Sequence, residues 1–329
     1  MAKRYFVTGG AGYVGSHLVA HLLDVGHECV VFDNLSTGHR QAVPPGARLV
    51  VGDLADAAAI DAALKDGPFD AVFHLASLSL VGESMREPML YLSVNPGNTA
   101  RLIEGCVRHG VPRLVFSSTA NLFASTDTPP FDEKTPIMPG SPYGESKAMI
   151  ERMLYWAGQI HGLRYASMRY FNAAGADPRG RFGEDHTPET HLIPLTIDAA
   201  LGRRPPLVVF GDDYPTPDGT CIRDYVHVTD LASANLLAVE QIANGSACYN
   251  IGTGGGFSVL EVIRAVERVS GRKVPFNIAP RRGGDPAVLV ASAARFTQET
   301  GWAPAFTSID AIVETALAWR ISHPRGYGE

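Results

Sequence analysis

Tyr5-Phe6-Val7-Thr8-Gly9-Gly10-Ala11-Gly12-Tyr13-Val14-Gly15-Ser16-His17-Leu18 is the stretch that decides the fold. Three apolar residues run into glycines at 9, 12 and 15, and a helical pattern follows. Such glycines give a tight turn, close backbone approach to a pyrophosphate, and close packing of helix on strand. The anion then rests on free N–H groups at the helix N-terminus, where the dipole is positive. The spacing is GxxGxxG rather than GxGxxG, and a glycine triplet by itself is a weak sign. Its surroundings strengthen it. The next strand ends in Val30-Val31-Phe32-Asp33-Asn34, which sets a carboxylate 18 residues past Gly15. An acid there meets the adenosine ribose hydroxyls and repels a 2′-phosphate, so NAD is expected rather than NADP. Gly52-Asp53-Leu54, after the third strand, suits the adenine edge.

Outward from this loop, short β-branched or aromatic runs alternate with helical patterns. Tyr5–Thr8, Glu28–Phe32, Arg48–Val51, Ala71–Leu75 and Arg113–Ser117 read as strands. Ser16–Val25, Ala55–Lys65 and Pro96–Arg108 read as helices between them. Near-continuous apolar strands separated by helices predict an α/β protein with a doubly wound parallel sheet. After about Asn172 proline and glycine become frequent, with helical patterns resuming at Ser258–Val269 and Ile309–Arg320. A smaller α/β substrate-binding domain over residues 173–329 is expected there. Residues 1–172 would form the dinucleotide domain, completed by parts of 222–252.

Composition excludes other classes. With 45% hydrophobic and 19% charged residues the 329-residue chain is globular, and its length favours two domains. A charge of −6 with scattered basic residues argues against nucleic-acid or anionic-membrane binding. No apolar run is long enough to span a bilayer. Cys29, Cys106, Cys221 and Cys248 form no CxxC pair, so free thiols and a cytoplasmic location are expected.

Ser141-Pro142-Tyr143-Gly144-Glu145-Ser146-Lys147 begins a further helix. Tyr143 and Lys147 are four apart and share one face. A phenol titrates near 10, and acting as a base near neutrality requires a shift of about 4 kcal/mol. One cation at about 4 Å supplies a similar amount at an effective dielectric of about 20. Lys147 with a positively charged nicotinamide is therefore predicted to make Tyr143 a base. The strand before it delivers Ser117-Ser118-Thr119 at its carboxyl end, where open parallel sheets bind ligands. Thr119 can bond a substrate oxygen and relay a proton to Tyr143. Taken alone, a YxxxK pair is usually a solvated surface pair; the glycine loop, Asp33 and Thr119 in this order favour catalysis.

These motifs resemble the extended short-chain dehydrogenase/reductases, and within them the nucleotide-sugar 4-epimerases, over essentially the whole chain. Val81-Gly82-Glu83-Ser84, Arg169-Tyr170-Phe171-Asn172-Ala173-Ala174-Gly175, Phe210-Gly211-Asp212-Asp213-Tyr214-Pro215-Thr216, Asp218 to Val228 and Pro280-Arg281-Arg282-Gly283-Gly284-Asp285 carry the resemblance beyond the glycine loop and YxxxK. It implies a Rossmann domain with bound NAD and a UDP-sugar substrate. NAD would meet Gly9, Gly12, Tyr13, Val14, Gly15, Asp33, Asn34, Leu35, Ser36, Thr37, Gly38, Asp53 and Leu54. Further contacts would come from Leu75, Ala76, Ser77, Ser79, Asn95, Ser117, Lys147, Tyr170 and Phe171. The UDP-sugar would meet Thr119, Tyr143, Asn172, His191, Leu192, Val208, Phe210, Arg223, Tyr225, Arg282, Asp285 and Leu289. Arginine forks at 223 and 282 suit phosphate oxygens. The implied reaction interconverts UDP-glucose and UDP-galactose. Tyr143 and Thr119 take the 4-hydroxyl proton, hydride moves to NAD, and the 4-keto sugar turns before hydride returns. A homodimer is also implied, pairing helices 96–108 and 141–161, with Met149, Met153 and Trp156 as a possible apolar seam.

Three departures from the family pattern stand out: Thr119 for serine, Phe123-Ala124 for Tyr-Gly, and Ser79 where a lysine is frequent. A 4,6-dehydratase would need Asp-Glu after the hydroxyl, and this chain has Ala120-Asn121. A 4-epimerase acting on a uronic acid, pentose or N-acetylhexosamine nucleotide stays open. So does a non-catalytic dinucleotide sensor, which would have no use for Tyr143, Lys147 and Thr119. Leu289, four places after Asp285, is of intermediate size and would disfavour an N-acetyl group. His17 and His21 have helical metal-ligand spacing but no third ligand, so they read as structural and no metal site is expected. The acid-rich stretch 127–133 reads as a solvated loop.

Overall fold

The computed structural model describes residues 1–123, 129–282 and 286–328. In chain order the first half runs β1 (Arg4–Thr8), α1 (Tyr13–Asp24), β2 (Glu28–Asp33), β3 (Arg48–Val51), α2 (Ala57–Leu64), β4 (Ala71–His74), α3 (Val81–Ser84), α4 (Pro88–Arg108), β5 (Arg113–Thr119), α5 (Pro142–His161) and β6 (Arg164–Tyr170). It continues through β7 (Asn172–Ala174), α6 (Leu192–Ala200), β8 (Leu207–Phe210), β9 (Ile222–Arg223), β10 (Tyr225–His227), α7 (Val228–Gln241) and β11 (Ala247–Ile251). The last elements are β12 (Phe257–Ser258), α8 (Val259–Ser270), β13 (Phe276–Ala279), β14 (Val288–Leu289), α9 (Ala294–Thr300) and α10 (Ile309–Ser322).

Seven strands form one parallel sheet in the order β11-β6-β5-β4-β1-β2-β3. Alternation along β1 feeds both faces. Tyr5 and Val7 join one core with Leu18 of α1 and Leu231 of α7, while Phe6 joins the other with Leu102 of α4 and Leu154 of α5. Burial on both faces explains why the strands read as unbroken apolar runs. The strand order reverses between β1 and β4, which opens a crevice at their carboxyl ends. Gly9 and Leu75 lie there, joined through Thr8 by the Leu75 N–H bond to its carbonyl.

A third core is built from α6, α8 and α10 with Leu207, Val209 and Tyr225. Small sheets β12-β9-β14, β13-β8 and β10-β7 surround it. A fourth, smaller cluster brings Ala120, Leu122, Phe123, Phe131 and Phe171 against Leu289 and Ala291. It adjoins the end of β5.

Two boundaries moved from the sequence reading. Helix α4 begins at Pro88, not Pro96. Proline favours a first turn, and Pro88 occupies it, whereas Pro96 is interior. β5 extends to Thr119, so the candidate hydroxyl closes the strand instead of following it.

Candidate active site

The glycine loop fits a dinucleotide on its own geometry. Gly9 has φ +73°, and a Cβ there would lie 2.5 Å from the Ala76 nitrogen. A Cβ on Gly15 would meet the Gly9 carbonyl at 2.0 Å. Gly12 caps α1 without a side-chain hydrogen bond, and no acid occupies the first turn. The amide donors of that turn therefore remain available to a diphosphate.

Asp33 accepts from the Ala11 N–H at 2.9 Å and from the Leu35 N–H at 2.9 Å. Its carboxylate ties the glycine loop to the turn after β2, with lone pairs left for ribose hydroxyls. Leu35 holds φ 58° in that turn, and Gly38 packs against Ala11. Ser36 N–H donates to Asn34, whose amide donates to Asp53 at 2.8 Å. Asn34, Ser36, Thr37 and Asp53 are exposed, as an adenosine-facing rim requires. Leu54 is instead a core residue of the sheet. Val14 packs on the first core from the glycine-loop helix.

At the opposite wall, Asn95 clamps the loop after β4. It accepts from the Leu78 N–H at 2.9 Å and donates to the Leu78 carbonyl and to Ser146. Ser79 is exposed. Lys147 is almost wholly buried and donates to Ser77 Oγ at 2.9 Å and the Ser117 carbonyl at 2.8 Å. Its ammonium lies 5.7 Å from the centroid of the Tyr143 ring. Burial pulls Lys147 down to about 7.

Thr119 hydrogen-bonds the Tyr143 hydroxyl, and its own Oγ accepts from the Asn121 N–H. Burial raises the Tyr143 phenol above its ordinary value, and the Thr119 bond lowers it only in part. The sequence reading assigns that lowering to Lys147 together with a positively charged nicotinamide, which the protein alone does not supply. In the protein alone desolvation therefore favours the protonated phenol.

The substrate residues form groups rather than one ring. Arg282 lies over the Phe210 ring, 4.0 Å from its centroid. Arg223 donates to the Ile222 and Pro286 carbonyls and pairs in register with Leu289. Asn172 bonds the Tyr225 hydroxyl, but the Tyr225 ring packs into the third core with Leu192 at its border. Val208 is exposed on β8. Asp285 and Ala124 lie outside the described residues, as do Asp127 and Thr128 of the acid-rich stretch.

Three of the expected site residues have side-chain hydrogen bonds within the protein. The Tyr170 hydroxyl donates to Asn235 at 2.6 Å on the α7 face, because strand alternation gives Arg169 the opposite face. Tyr13 donates to the Gly175 carbonyl at 2.6 Å. His191 bonds Glu184.

A family model described as the NAD dependent epimerase/dehydratase family matches residues 5–252. The chain belongs to this family. UDP-glucose 4-epimerase of Lacticaseibacillus casei is 45% identical over 325 residues, spanning 98% of each chain. Among solved structures, UDP-glucose 4-epimerase from Brucella ovis in complex with NAD is 43% identical with TM-score 0.94, covering 96% of this chain and 98% of that one. The Bifidobacterium longum UDP-glucose 4-epimerase in complex with NAD+ and UDP is 34% identical with TM-score 0.94, covering 98% and 99%. The sheet order and the epimerase family agree with the doubly wound fold and NAD dependence expected above.

Two buried networks in this family member were not foreseen. Glu151, one turn beyond Lys147, accepts from Ser118 at 2.7 Å and from Arg169 at 2.7 and 3.0 Å. The i, i+4 series Tyr143, Lys147, Glu151 was the available signal. His74 bonds Thr8 at 2.7 Å and Thr99 at 2.8 Å, and Thr99 donates to the Asn95 carbonyl. That line crosses three elements and has no sequence spacing to betray it.

Burial keeps several histidines neutral. It holds His74 and His227 down to about 3 and His17 to about 4. A histidine in the unfolded chain titrates near 6.5. Above that value both states are unprotonated and stability is complete. As pH falls below it, the unfolded chain binds protons that the folded rings refuse, until the latter titrate at 3–4. Each ring costs about 1.4 kcal/mol per pH unit, about 4 together. His186 acts in the opposite sense at higher pH, since its stabilisation is lost only between the unfolded value and about 10. Urea midpoints should fall steeply from pH 6.5 to 5; a flat profile would contradict neutral burial of these rings.

Proposed function

We propose that this chain interconverts UDP-glucose and UDP-galactose by reversible epimerisation at C4. The observation that carries this is the Thr119–Tyr143 hydroxyl pair beside Lys147 at the carboxyl end of β5. It opens on the cofactor crevice of a chain matched almost end to end by UDP-glucose 4-epimerases. Residues 1–172 with parts of 222–252 would hold the cofactor, and residues 173–329 the sugar nucleotide.

Asp33 and the glycine loop on one side and Asn95, Ser77 and Lys147 on the other would hold NAD, which would supply a reversible two-electron acceptor for C4. Tyr143 takes the proton of the 4-hydroxyl and returns it, with Thr119 bonded to the same oxygens. Lys147 stabilises the phenolate and anchors the loop carrying Ser77. Arg282 and Arg223 would hold the diphosphate while the 4-keto sugar turns. No redox equivalent is consumed overall.

Elimination across C5 and C6 lacks its acid and base. Ala120 is buried, and Asn121 accepts from Ser141 at the cap of α5. The exposed Met149, Trp156 and Ile160 of α5, which packs on α4, support a homodimer through these two helices, whereas Met153 packs toward the sheet core. A cytoplasmic location accords with four free thiols. No helix among the described residues is long and apolar enough to cross a membrane.

The test is a panel of UDP-sugars with product separation. UDP-galactose and UDP-glucose should each yield the other without added reductant. Leu289 shares a buried apolar cluster with Ala120, the neighbour of Thr119, which supports its reading as the residue that limits the sugar's C2 substituent. Forcing an acetamido group against it costs about 1–3 kcal/mol, which predicts roughly 5- to 150-fold lower kcat/KM for UDP-N-acetylglucosamine. Leu289→Ser should shrink that ratio. Equal efficiency on both sugars in the parent protein would place the gate elsewhere.

A further inference from the structure

The expectation of no metal site rested on His17 and His21. Those two do not assemble with other ligands, but a different set does. Residues 184–191 read Glu-Asp-His-Thr-Pro-Glu-Thr-His, two Glu-x-His units five residues apart. Folding brings all four side chains together: one ligand atom from each of Glu184, His186, Glu189 and His191 lies within 4.8 Å of the others. It is the one such group among the described residues.

Two of the separations match a tetrahedral ion. Zinc bonds of about 2.0–2.2 Å to nitrogen and oxygen imply ligand–ligand edges of about 3.3–3.6 Å. His186 Nδ1 lies 3.3 Å from Glu184 Oε1 and 3.6 Å from Glu189 Oε2, and His191 Nδ1 is 4.0 Å from Glu189 Oε1. His191 Nδ1 is also hydrogen-bonded to Glu184 Oε1, a contact that an ion would have to open. The two imidazoles stand nearly perpendicular, 86° apart. That arrangement lets both Nδ1 atoms converge without the rings colliding.

Burial argues the same way. The Glu184 side chain is 8% exposed and that of Glu189 is 11% exposed. Among the described residues neither carboxylate has a lysine or arginine partner; the two histidines face them, and Glu189 Oε1 also accepts from the Thr190 and His191 N–H groups. Glu189 Oε2 is buried without any hydrogen bond. Its nearest cationic group is the His186 imidazole at 3.6 Å, so the oxygen keeps lone pairs that a metal ion could take. His191 is half exposed, which gives an ion a way in.

We propose that Glu184, His186, Glu189 and His191 form a structural site for one divalent transition-metal ion, with zinc as its occupant. Mixed imidazole and carboxylate donors select such an ion over magnesium or calcium, which prefer oxygen alone. Four protein ligands close the coordination sphere, so the ion has a structural and not a catalytic role. The site would fix the segment that enters α6 and touches the glycine-loop helix, where His186 stands edge-on to Tyr13. It lies apart from Tyr143, and the epimerase reading does not depend on it.

Untagged protein, freed of metal by chelator and dialysed, should bind zinc chloride at one equivalent per chain with a Kd below about 1 μM. At a free zinc concentration 100 times Kd the unfolding midpoint should rise, by about 2.7 kcal/mol of added stability. Cobalt should bind at the same place and give the visible absorption of a tetrahedral centre. His186→Ala should weaken zinc at least about 100-fold, the upper end of what loss of a supporting group does to metal affinity. Glu189→Gln, which keeps the side-chain shape, serves the same purpose if the alanine variant unfolds. Parent protein that binds no zinc at one equivalent below about 10 μM, octahedral cobalt spectra, or equal affinity in a folded Glu189→Gln variant would each overturn the site.

Discussion

Replacing Tyr143 by phenylalanine will lower kcat for UDP-galactose by about 100- to 10,000-fold, the span that one positioned acid–base group contributes. KM and bound NAD should change little, because the ring keeps its packing: it stands edge-on to Tyr91 and beneath the Lys147 ammonium. The variant removes only the oxygen that Thr119 bonds. Thr119 cannot substitute as base, since an isolated hydroxyl is far too weak an acid to hold its anion at neutral pH. Activity within tenfold of the parent, with fold and cofactor content retained, would refute the assignment of Tyr143 as the proton acceptor.

The second large effect is on stability. Arg169→Met should cost about 3–5 kcal/mol, because it leaves the Glu151 carboxylate buried and unpaired. Both side chains are about one-twentieth exposed, at 5% and 6%, so water cannot replace the lost guanidinium. Methionine fills much of the volume, which keeps the cavity contribution small. Pairing it with Glu151→Leu removes the stranded charge and should recover most of the loss. A double-mutant cycle in urea measures this directly. Additive losses would show that the two groups do not act on each other. Glu151 also accepts from Ser118, the residue before Thr119, so the double variant should turn over more slowly than its stability alone would suggest.

The fold was legible wherever one residue type met one backbone demand. Gly9 and Gly15 occupy positions that no other side chain fits, and Asp33 follows them at a spacing fixed by one β-α-β unit. Tyr143 and Lys147 share a face because a helix has 3.6 residues per turn. Where contacts join residues distant in sequence, the sequence offered little. Ser118 and Arg169 meet Glu151 across 33 and 18 residues, and Thr8 meets His74 across 66. The metal-type cluster is the opposite case. Its residues are neighbours in the chain, but their convergence depends on how an irregular loop turns, which hydrophobic periodicity does not encode. Tyr170 shows a third kind of miss: a motif fixes a residue's place on a strand without fixing which of two faces its side chain serves.

The sheet is not built in the order in which its strands are made. β11 pairs with β6, yet nearly eighty residues of other structure separate them in the chain. α7, whose Leu231, Ala234 and Ala238 cover one side of the sheet, is equally late. A growing polypeptide that has just left the ribosome as far as β6 therefore presents an open strand edge and an uncovered apolar flank. Both stay bare until about residue 251 emerges, and the intervening segment has to be looped out meanwhile. Chaperone engagement during synthesis and proteolytic vulnerability should concentrate in that interval. A cut at the 172/173 junction does not yield two independent folding units, because the amino-terminal piece would lack the strand and helix that finish it.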